Sequence, residues 1–383
     1  MNWRYFAAYS LITLVFLIIA ELSLSVLYFQ KREDGLALVY SSKRLASKMS
    51  AIVSHESVPP SYARIIDTPA ELIEELRQHK AVVDDAYNPT GTKKHDTILV
   101  TPDETLKYRL RPNVQLDAYS ITPENSNNFN PPTVYINQST PISPELKAYL
   151  EKKTRLVFSI TTNEQAVRTT MPNVSAKKKV LFVGDSVTFG VGVADEHTSA
   201  SYLQRMVGDN YQVINAGIGG YNGEQALTMA KIQAEDNNFD ALVYIACQND
   251  FRNPETGQYN HNMALNVFEK FSQLKQAFGG NVLVVLQTYM MYNMRDVFDG
   301  LQGWNETQSS QTDILRNGIH NGVNKIDVRY IDFTDSVAES RMHKRTLFAP
   351  TALYVDHAHF SPEGNELMAS VIYNQLNDMG LHF

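Results

Sequence analysis

Short apolar runs alternate with amphipathic segments over the second half of the chain. Five short runs that contain aliphatic residues lie at 180–183, 212–215, 241–247, 282–286 and 328–331. Segments with helical spacing of apolar positions lie at 198–207, 224–236, 263–277, 312–326 and 362–375. Short strands that alternate with helices are typical of a parallel sheet covered on both faces. The pattern therefore predicts an α/β fold with a doubly wound, mainly parallel five-stranded sheet, and we expect a flavodoxin-like strand order.

The N-terminal pattern is different. Residues 5–29 contain one charged residue, Glu21, and are long enough to cross a bilayer as a helix. A cleaved signal peptide would have a shorter apolar core and a small-residue cleavage site. We therefore expect an uncleaved transmembrane anchor over residues 1–30, with a cleaved signal peptide and a buried helix as the alternatives.

Two further regions separate the predicted anchor from the α/β domain. Residues 31–95 are predicted to be a juxtamembrane helical region, in which Thr68, Pro69 and Glu71 form a capping-box sequence. Short apolar runs punctuated by Pro and Asn predict a small β-rich accessory region over residues 96–176. This region would hold the following domain away from the membrane, or else contribute to substrate binding.

Composition and charge exclude some functions. The net charge of −7 argues against a nucleic-acid partner, because binding to phosphates needs a basic surface. The single cysteine, Cys247, excludes an internal disulfide framework and a Cys-rich metal site. It lies in an apolar run, which favours a buried structural thiol.

Polar residues follow the predicted strands in an order that indicates acyl-transfer chemistry. Ser186 follows the first strand, Gly220 lies in the loop after the second, and Asn249 follows the third. Asp356 and His359 precede the last helix, and an Asp three residues before a His can orient the imidazole. Because parallel strands end at one edge of the sheet, we expect these groups to converge as nucleophile, base, base-orienting group and oxyanion donors.

Each of these residues also has a purely structural interpretation. Ser186 would then cap a helix, Gly220 would serve a tight turn, and Asn249 would cap a turn. His357, beside Asp356 and His359, raises the alternative of a metal site. No other cluster in the sequence has convincing ligand spacing, so no metal and no cofactor are expected.

From about residue 177 to 383 the sequence resembles the SGNH hydrolases, also called the GDSL family. The match consists of four ordered motifs, at 184–186, 215–220, 249–250 and 356–359, and the last continues as Phe-Ser-Pro-Glu-Gly into the final helix. The resemblance implies an SGNH hydrolase domain over 177–383 with Ser186 as nucleophile, His359 as base and Asp356 orienting that base. It also implies an oxyanion hole made by the Ser186 and Gly220 amides and the Asn249 side chain.

The sequence departs from the family pattern at two places. Val187 replaces the leucine of the family name, and Cys247 with Gln248 stands where a pair of glycines often precedes the asparagine. Among the neighbouring residues, Asp185 is interpreted as stabilising the turn, and Gly217 and Gly219 as turn glycines or additional members of the hole. Four polar or aromatic residues that follow strands are candidates to line the substrate cleft: Tyr221, Asn222, Arg252 and Tyr289.

Together these features predict a membrane-anchored serine esterase that hydrolyses O-acyl groups, with O-acetyl groups on a polysaccharide as the candidate substrate by family analogy. The alternatives are an O-acyltransferase with the same triad and an inactive glycan-binding or assembly module. The expected partners are an acylated small molecule or glycan and the membrane. Five basic residues within 31–48 outweigh Arg4 before the span, so a charge count alone would keep the domain in the cytoplasm. Large domains are translocated despite such charges, and the family analogy places the catalytic domain outside the cytoplasm.

Overall fold

A computed structural model describes residues 72, 75, 78, 97–121, 133–253, 256, 258–293, 306–344, 353–356 and 358–383. All of these belong to the same one of the chain's two compact units. The predicted anchor over 1–30 and nearly all of the juxtamembrane region over 31–95 lie outside the described residues. Within the part of the chain that is described, no helix combines the length and the apolarity needed to cross a membrane.

Two small antiparallel sheets precede the α/β domain. Strands β1 (Val100–Asp103) and β2 (Lys107–Leu110) form a hairpin. Strand β3 (Gln115–Ile121) lies between β4 (Thr133–Asn137) and β5 (Thr154–Thr161). Between β4 and β5 the chain forms helix α1 (Pro144–Lys153), which the sequence analysis did not predict. Its start does carry a helix signal, since Ser143 accepts a hydrogen bond from Leu146 and is followed by Pro at the first helical position.

The five predicted parallel strands are present. They are β6 (Lys178–Gly184), β7 (Tyr211–Asn215), β8 (Ala241–Cys247), β9 (Val282–Gln287) and β10 (Arg329–Asp332). Across the sheet the order is β10-β9-β8-β6-β7, and every neighbouring pair is parallel. Numbered from β6, this is the order 2-1-3-4-5, which confirms the predicted flavodoxin-like arrangement. In this arrangement β7 and β8 lie on either side of β6, so the loops after these three strands are neighbours.

The helices lie between and after the strands. They are α2 (Ser186–Phe189), α3 (Ser199–Val207), α4 (Gly223–Asp236), α5 (His261–Ser272), α6 (Met290–Asn293), α7 (Glu306–Val323), α8 (Phe333–Lys344) and α9 (Pro362–Asp378). The five predicted helices are all found, with shifted ends. Helix α8 was missed because it follows β10 directly, without the turn residues that separate elements in a sequence pattern.

Two hydrophobic cores cover the two faces of the five-stranded sheet, because successive side chains of a strand point to opposite faces. One core contains Phe182 and Ile245, and is covered by α3 and α9. The other contains Leu181 and Tyr244 and also includes Leu106 and three further apolar residues from or beside the β1–β2 hairpin. The hairpin is therefore packed into the same core as the parallel sheet.

Candidate active site

Ser186 stands at the sharp turn between β6 and α2. Gly184 has φ +151°, and a Cβ built there would lie 2.1 Å from the Thr188 Oγ1, so the turn requires glycine. Asp185 caps the short helix, since its Oδ1 accepts a hydrogen bond from the Val187 N–H at 2.9 Å. This cap agrees with the turn-stabilising role predicted for Asp185. The Ser186 side chain, half-buried, is thus held at the carboxyl end of the sheet.

The His359 imidazole lies between Ser186 and Asp356. Its Nε2 is 2.8 Å from the Ser186 Oγ, and its Nδ1 is 2.7 Å from the Asp356 Oδ2. The other Asp356 oxygen, Oδ1, accepts the N–H groups of Ala358 at 2.8 Å and His359 at 2.9 Å. The structure therefore brings Asp356 and His359 together with Ser186, which lies 173 positions before His359. Three hydrogen bonds fix the Asp356 carboxylate.

Opposing effects act on the charge of His359. Burial disfavours the imidazolium and by itself lowers the pKa of His359. The charge of Asp356 and its hydrogen bond favour the imidazolium, as does the charge of Asp185, and together they raise the pKa of His359 above its ordinary value. The environment therefore stabilises a protonated imidazole, as a base that accepts a proton from serine requires.

A buried hydrogen-bonded pair supports the histidine loop from the sheet. Gln287, at the end of β9, donates from Nε2 to the Ala358 carbonyl at 3.0 Å and accepts from the Cys247 thiol at 2.9 Å. Cys247 is buried, as predicted, and burial raises the pKa of its thiol well above the ordinary value. A protonated thiol can serve as the donor here, so Cys247 and Gln287 link the ends of β8 and β9 to the loop that carries His359.

Gly220 and Asn249 follow β7 and β8, the two strands that neighbour β6 in the sheet. Gly220 belongs to a turn after β7, and Asn249 to the 3₁₀ turn Gln248–Phe251 after β8. Both are exposed. Within the described part of the chain, the N–H groups of Ser186 and Gly220 donate to no other group. The loops after β6 and β7 therefore each carry an N–H group without a hydrogen-bond partner among the described residues, and the loop after β8 carries an exposed amide.

Two buried carboxylates lie beneath this arrangement. Burial raises the pKa of Asp185, although the hydrogen bond from the Val187 N–H and the charge of His359 oppose that shift. The Asp185 Oδ2 makes no hydrogen bond to a described residue. Burial and the charge of Asp185 raise the pKa of Asp250, whose carboxylate accepts the Tyr244 hydroxyl at 2.7 Å.

The four candidate cleft residues have different surroundings. Tyr221 is buried, and its hydroxyl donates to the Tyr108 carbonyl at 2.6 Å. Asn222 caps α4 in a full capping box. Arg252 is exposed and Tyr289 is partly exposed. Tyr221 and Asn222 therefore have structural contacts in and beside the loop after β7, whereas Arg252 and Tyr289 have side chains that reach solvent.

Sequence analysis did not identify Arg168, whose side chain is fully buried behind the serine turn. Its Nε lies 2.9 Å from the Asp195 Oδ1, and its other nitrogens donate to the carbonyls of Phe189, Gly190 and Val193 at 2.6–2.7 Å. These bonds hold the loop that leaves α2. No sequence pattern connects an arginine before β6 with that loop, so only the tertiary structure reveals the contact.

His357, the residue that raises the alternative of a metal site beside Asp356 and His359, lies outside the described residues. Among the residues that the structure does describe, no group of three or more His, Cys, Asp and Glu side chains is placed to hold a metal ion.

The α/β domain is similar to one known protein family. Residues 182–367 match the model of the GDSL-like Lipase/Acylhydrolase family. The matched segment begins in β6, ends in α9 and contains every residue of the site. The α/β domain is therefore similar to the GDSL-like lipase/acylhydrolase family, and its five-stranded parallel sheet flanked by helices is the SGNH hydrolase fold. No curated protein matches the sequence.

Several solved structures are loosely similar to the domain. A carbohydrate acetylesterase family member from Sinorhizobium meliloti is 17% identical, with a TM-score of 0.39 over 53% of this chain and 98% of its own. A member of the lipolytic protein G-D-S-L family from Veillonella parvula is 17% identical, with a TM-score of 0.38 over 50% and 94%. An acetyl xylan esterase is 21% identical, with a TM-score of 0.40 over 52% and 99%. At these values the likenesses carry no argument about what this chain acts on.

Proposed function

We propose that the protein is a serine esterase that removes small O-acyl groups through a covalent acyl-enzyme. The observation that carries the proposal is the position of the His359 ring, with one nitrogen 2.8 Å from the Ser186 Oγ and the other 2.7 Å from the Asp356 carboxylate. A serine hydroxyl becomes an effective nucleophile when a positioned base accepts its proton, and that base needs an orienting partner. The family match supports the same class of reaction.

In the first half of the reaction, His359 accepts the Ser186 proton while the Oγ attacks the ester carbonyl. The resulting tetrahedral oxyanion would be bound by the N–H groups of Ser186 and Gly220 and by the Asn249 amide. His359 then donates the proton to the leaving alcohol, and the C–O bond to that alcohol breaks. Water, deprotonated by His359, attacks the acyl-enzyme in the second half and releases the acid and free Ser186.

The proposed substrate is an ester on a large hydrophilic carrier, with O-acetylated polysaccharide as the preferred case. Ser186 is half-buried while Gly220 and Asn249 are exposed, so the site opens to solvent at the edge of the sheet. An open site suits a short acyl group on a bulky carrier, whereas a long acyl chain needs an extensive apolar surface to cover it. The choice of acetyl and of a glycan rests on analogy with the family.

The test uses p-nitrophenyl acetate and an O-acetylated oligosaccharide with the wild type and Ser186→Ala. We expect the wild type to release acetate from both, and the variant to lose turnover while its far-UV circular dichroism is unchanged. A fluorophosphonate probe should label the wild type and leave the variant unlabelled. Undiminished turnover by Ser186→Ala would rule out the nucleophile assignment, and release from the aryl ester alone would rule out the glycan.

The same acyl-enzyme would let a sugar hydroxyl replace water, so O-acyltransfer is the second candidate. The exposure of the site supports it, since an acceptor can approach from solvent. Incubation with an acyl donor and a glycan acceptor, followed by mass spectrometry, separates the two reactions. Acylated acceptor in excess of free acid would favour transfer, and a wild type that neither turns over nor labels would favour a binding or assembly module.

We further propose that the apolar segment 5–29 anchors the protein in a membrane with the catalytic domain outside the cytoplasm. The support is the length and apolarity of that segment in the sequence. Labelling of intact cells with a membrane-impermeant fluorophosphonate tests the side. Labelling of Ser186 before lysis is expected, and labelling only after lysis would place the domain in the cytoplasm.

A further inference from the structure

The peptide between Gly219 and Gly220 is the central peptide of a tight turn beside the serine. The Tyr221 N–H bonds to the Ile218 carbonyl at 3.2 Å, which closes a four-residue turn over 218–221. Gly220 has φ +80°, the value at the third position of a type II turn, where a type I turn has a negative φ. A Cβ built on Gly219 would lie 3.9 Å from the Ser186 Cβ, so this peptide borders the nucleophile.

A turn with two central glycines has little intrinsic preference for one orientation of that peptide. Types I and II differ mainly by rotation of the central peptide through about 180°, and glycine tolerates both signs of φ. In a trans peptide the carbonyl and the N–H point in opposite directions, so rotation would carry the Gly220 N–H away from its present direction. An interaction that holds the Gly219 carbonyl therefore also fixes the Gly220 N–H.

Tyr108 makes that interaction. Its hydroxyl donates to the Gly219 carbonyl at 2.9 Å, from a residue 111 positions earlier in the chain. The same phenol oxygen would lie 2.8 Å from a Cβ on Gly220, so the ring covers the turn closely. The ring also packs edge-on against Tyr221, with the centroids 5.3 Å apart.

The hairpin that carries Tyr108 is also bonded to Tyr221 of the same loop and to Gln225 of the following helix α4. The Tyr221 hydroxyl donates to the Tyr108 carbonyl at 2.6 Å, and the Gln225 Nε2 donates to the Leu106 carbonyl at 2.9 Å. Tyr108 and Leu106 are buried in the core that covers one face of the parallel sheet. The phenol is consequently held in place by groups that do not touch the Gly219 carbonyl.

We propose that Tyr108, from the accessory hairpin, is a positioning residue that holds the Gly219–Gly220 peptide in the orientation required for the oxyanion hole. The inference rests on the proposed function, because it assigns the Gly220 N–H to the developing oxyanion. It gives the β1–β2 hairpin a part in the reaction that a spacer would not have. The hydroxyl acts through the peptide and contacts no reacting atom.

The expected effect of Tyr108→Phe is a fall in kcat of roughly tenfold. The lower bound is the ~2-fold expected when a neutral hydrogen bond that selects one conformer is lost. The upper bound is the ~10²-fold typical when an oxyanion donor is removed entirely. KM should be unchanged, because the Gly220 N–H binds the oxyanion only in the transition state and this hydrogen bond does not contribute to substrate binding. The ring packing against Tyr221 is retained in Phe.

The experiment compares the wild type, Tyr108→Phe and Gln225→Glu with p-nitrophenyl acetate. Gln225→Glu is the matched control, because Glu keeps the acceptor of the α4 capping box but cannot donate to the Leu106 carbonyl. It loosens the same hairpin without touching the Gly219 peptide. A second measurement is the affinity for methylboronic acid, which forms a tetrahedral adduct with the serine and reports the oxyanion hole without turnover.

The inference is supported if Tyr108→Phe lowers kcat and weakens the boronate affinity by similar factors while KM and the control's kcat stay constant. Unchanged kcat in Tyr108→Phe would overturn it, and so would an equal loss in Gln225→Glu, since that would indicate only a loosened hairpin. Failure of the proposed function is distinguishable, because the wild type itself would then neither turn over nor react with a fluorophosphonate.

Discussion

Replacement of Asp356 by asparagine is the sharpest test of the hydrogen-bond arrangement around His359. The Asp356 Oδ1 accepts two backbone N–H groups, from Ala358 and His359, and Oδ2 accepts the imidazole Nδ1–H at 2.7 Å. Asparagine has one carbonyl oxygen and one NH₂ group. An amide oxygen at the Oδ1 position preserves both backbone hydrogen bonds. The flipped amide would leave two buried N–H groups without an acceptor, and each unsatisfied group destabilises the fold by about 1–3 kcal/mol.

The favoured orientation therefore directs the asparagine NH₂ at the His359 Nδ1. Nδ1 must then accept a hydrogen bond, so the proton of the neutral ring moves to Nε2, where it faces the Ser186 Oγ and blocks proton transfer. The corresponding substitution in a serine protease lowers kcat about 10⁴-fold. At about 1.36 kcal/mol per factor of ten, this is an increase of roughly 5.4 kcal/mol in the activation barrier.

The pH dependence should change as well. The charge of Asp356 raises the pKa of His359 against burial, which lowers it. With that charge removed, burial prevails and the pKa of His359 falls, so the acid limb of the residual kcat/KM profile should move to lower pH. Profiles of kcat/KM between about pH 5 and 9 for p-nitrophenyl acetate would measure both effects.

A matched control is Asp332→Asn, which removes another buried carboxylate, away from the site. The Asp332 Oδ2 lies 2.6 Å from the Arg316 Nε. This substitution should lower stability and leave kcat unchanged. The proposed orientation of His359 would be refuted if Asp356→Asn kept kcat/KM within tenfold of the wild type with an unshifted acid limb.

Other predictions concern the oxyanion hole, the buried arginine and pH. Asn249→Ala should lower kcat by ~10²–10³ with little change in KM, measured by steady-state kinetics; a change confined to KM would contradict the role of the amide. Arg168→Met leaves the Asp195 carboxylate, which is nearly buried, without its cation, so urea unfolding should show a loss of about 3–5 kcal/mol, and unchanged stability would contradict this. Because the pKa of His359 is raised and the base must be neutral, kcat/KM should rise with pH and reach half its maximum above about 6.5; half-maximal activity at or below that pH would contradict the direction. The stability contributed by the charged His359 is fully present below about pH 6.5 and is lost as pH rises through the folded pKa, so urea midpoints of the wild type and His359→Gln should converge at high pH.

The central strands of the parallel sheet were predictable because β8 and β9 are wholly buried and consist almost entirely of apolar residues. The positions of Ser186 and Asn249 relative to the sheet followed from the predicted strands, since each comes shortly after one. Helices α1 and α8 were missed, although Ser143 and Pro144 form a start signal for α1.

Local pattern thus indicated the five strands, five of the helices and the residue types at the carboxyl edge of the sheet, because these depend on short stretches of chain. The strand order was expected from the general rules for connections between parallel strands. The tertiary structure alone decided what surrounds those residues. The contact from Tyr108 to Gly219 spans 111 positions, and the bonds from Arg168 to the loop after α2 join an accessory segment to the parallel-sheet domain. Such contacts depend on how separate elements pack against one another, and the hydrophobic periodicity of the sequence does not indicate which distant residues will be in contact.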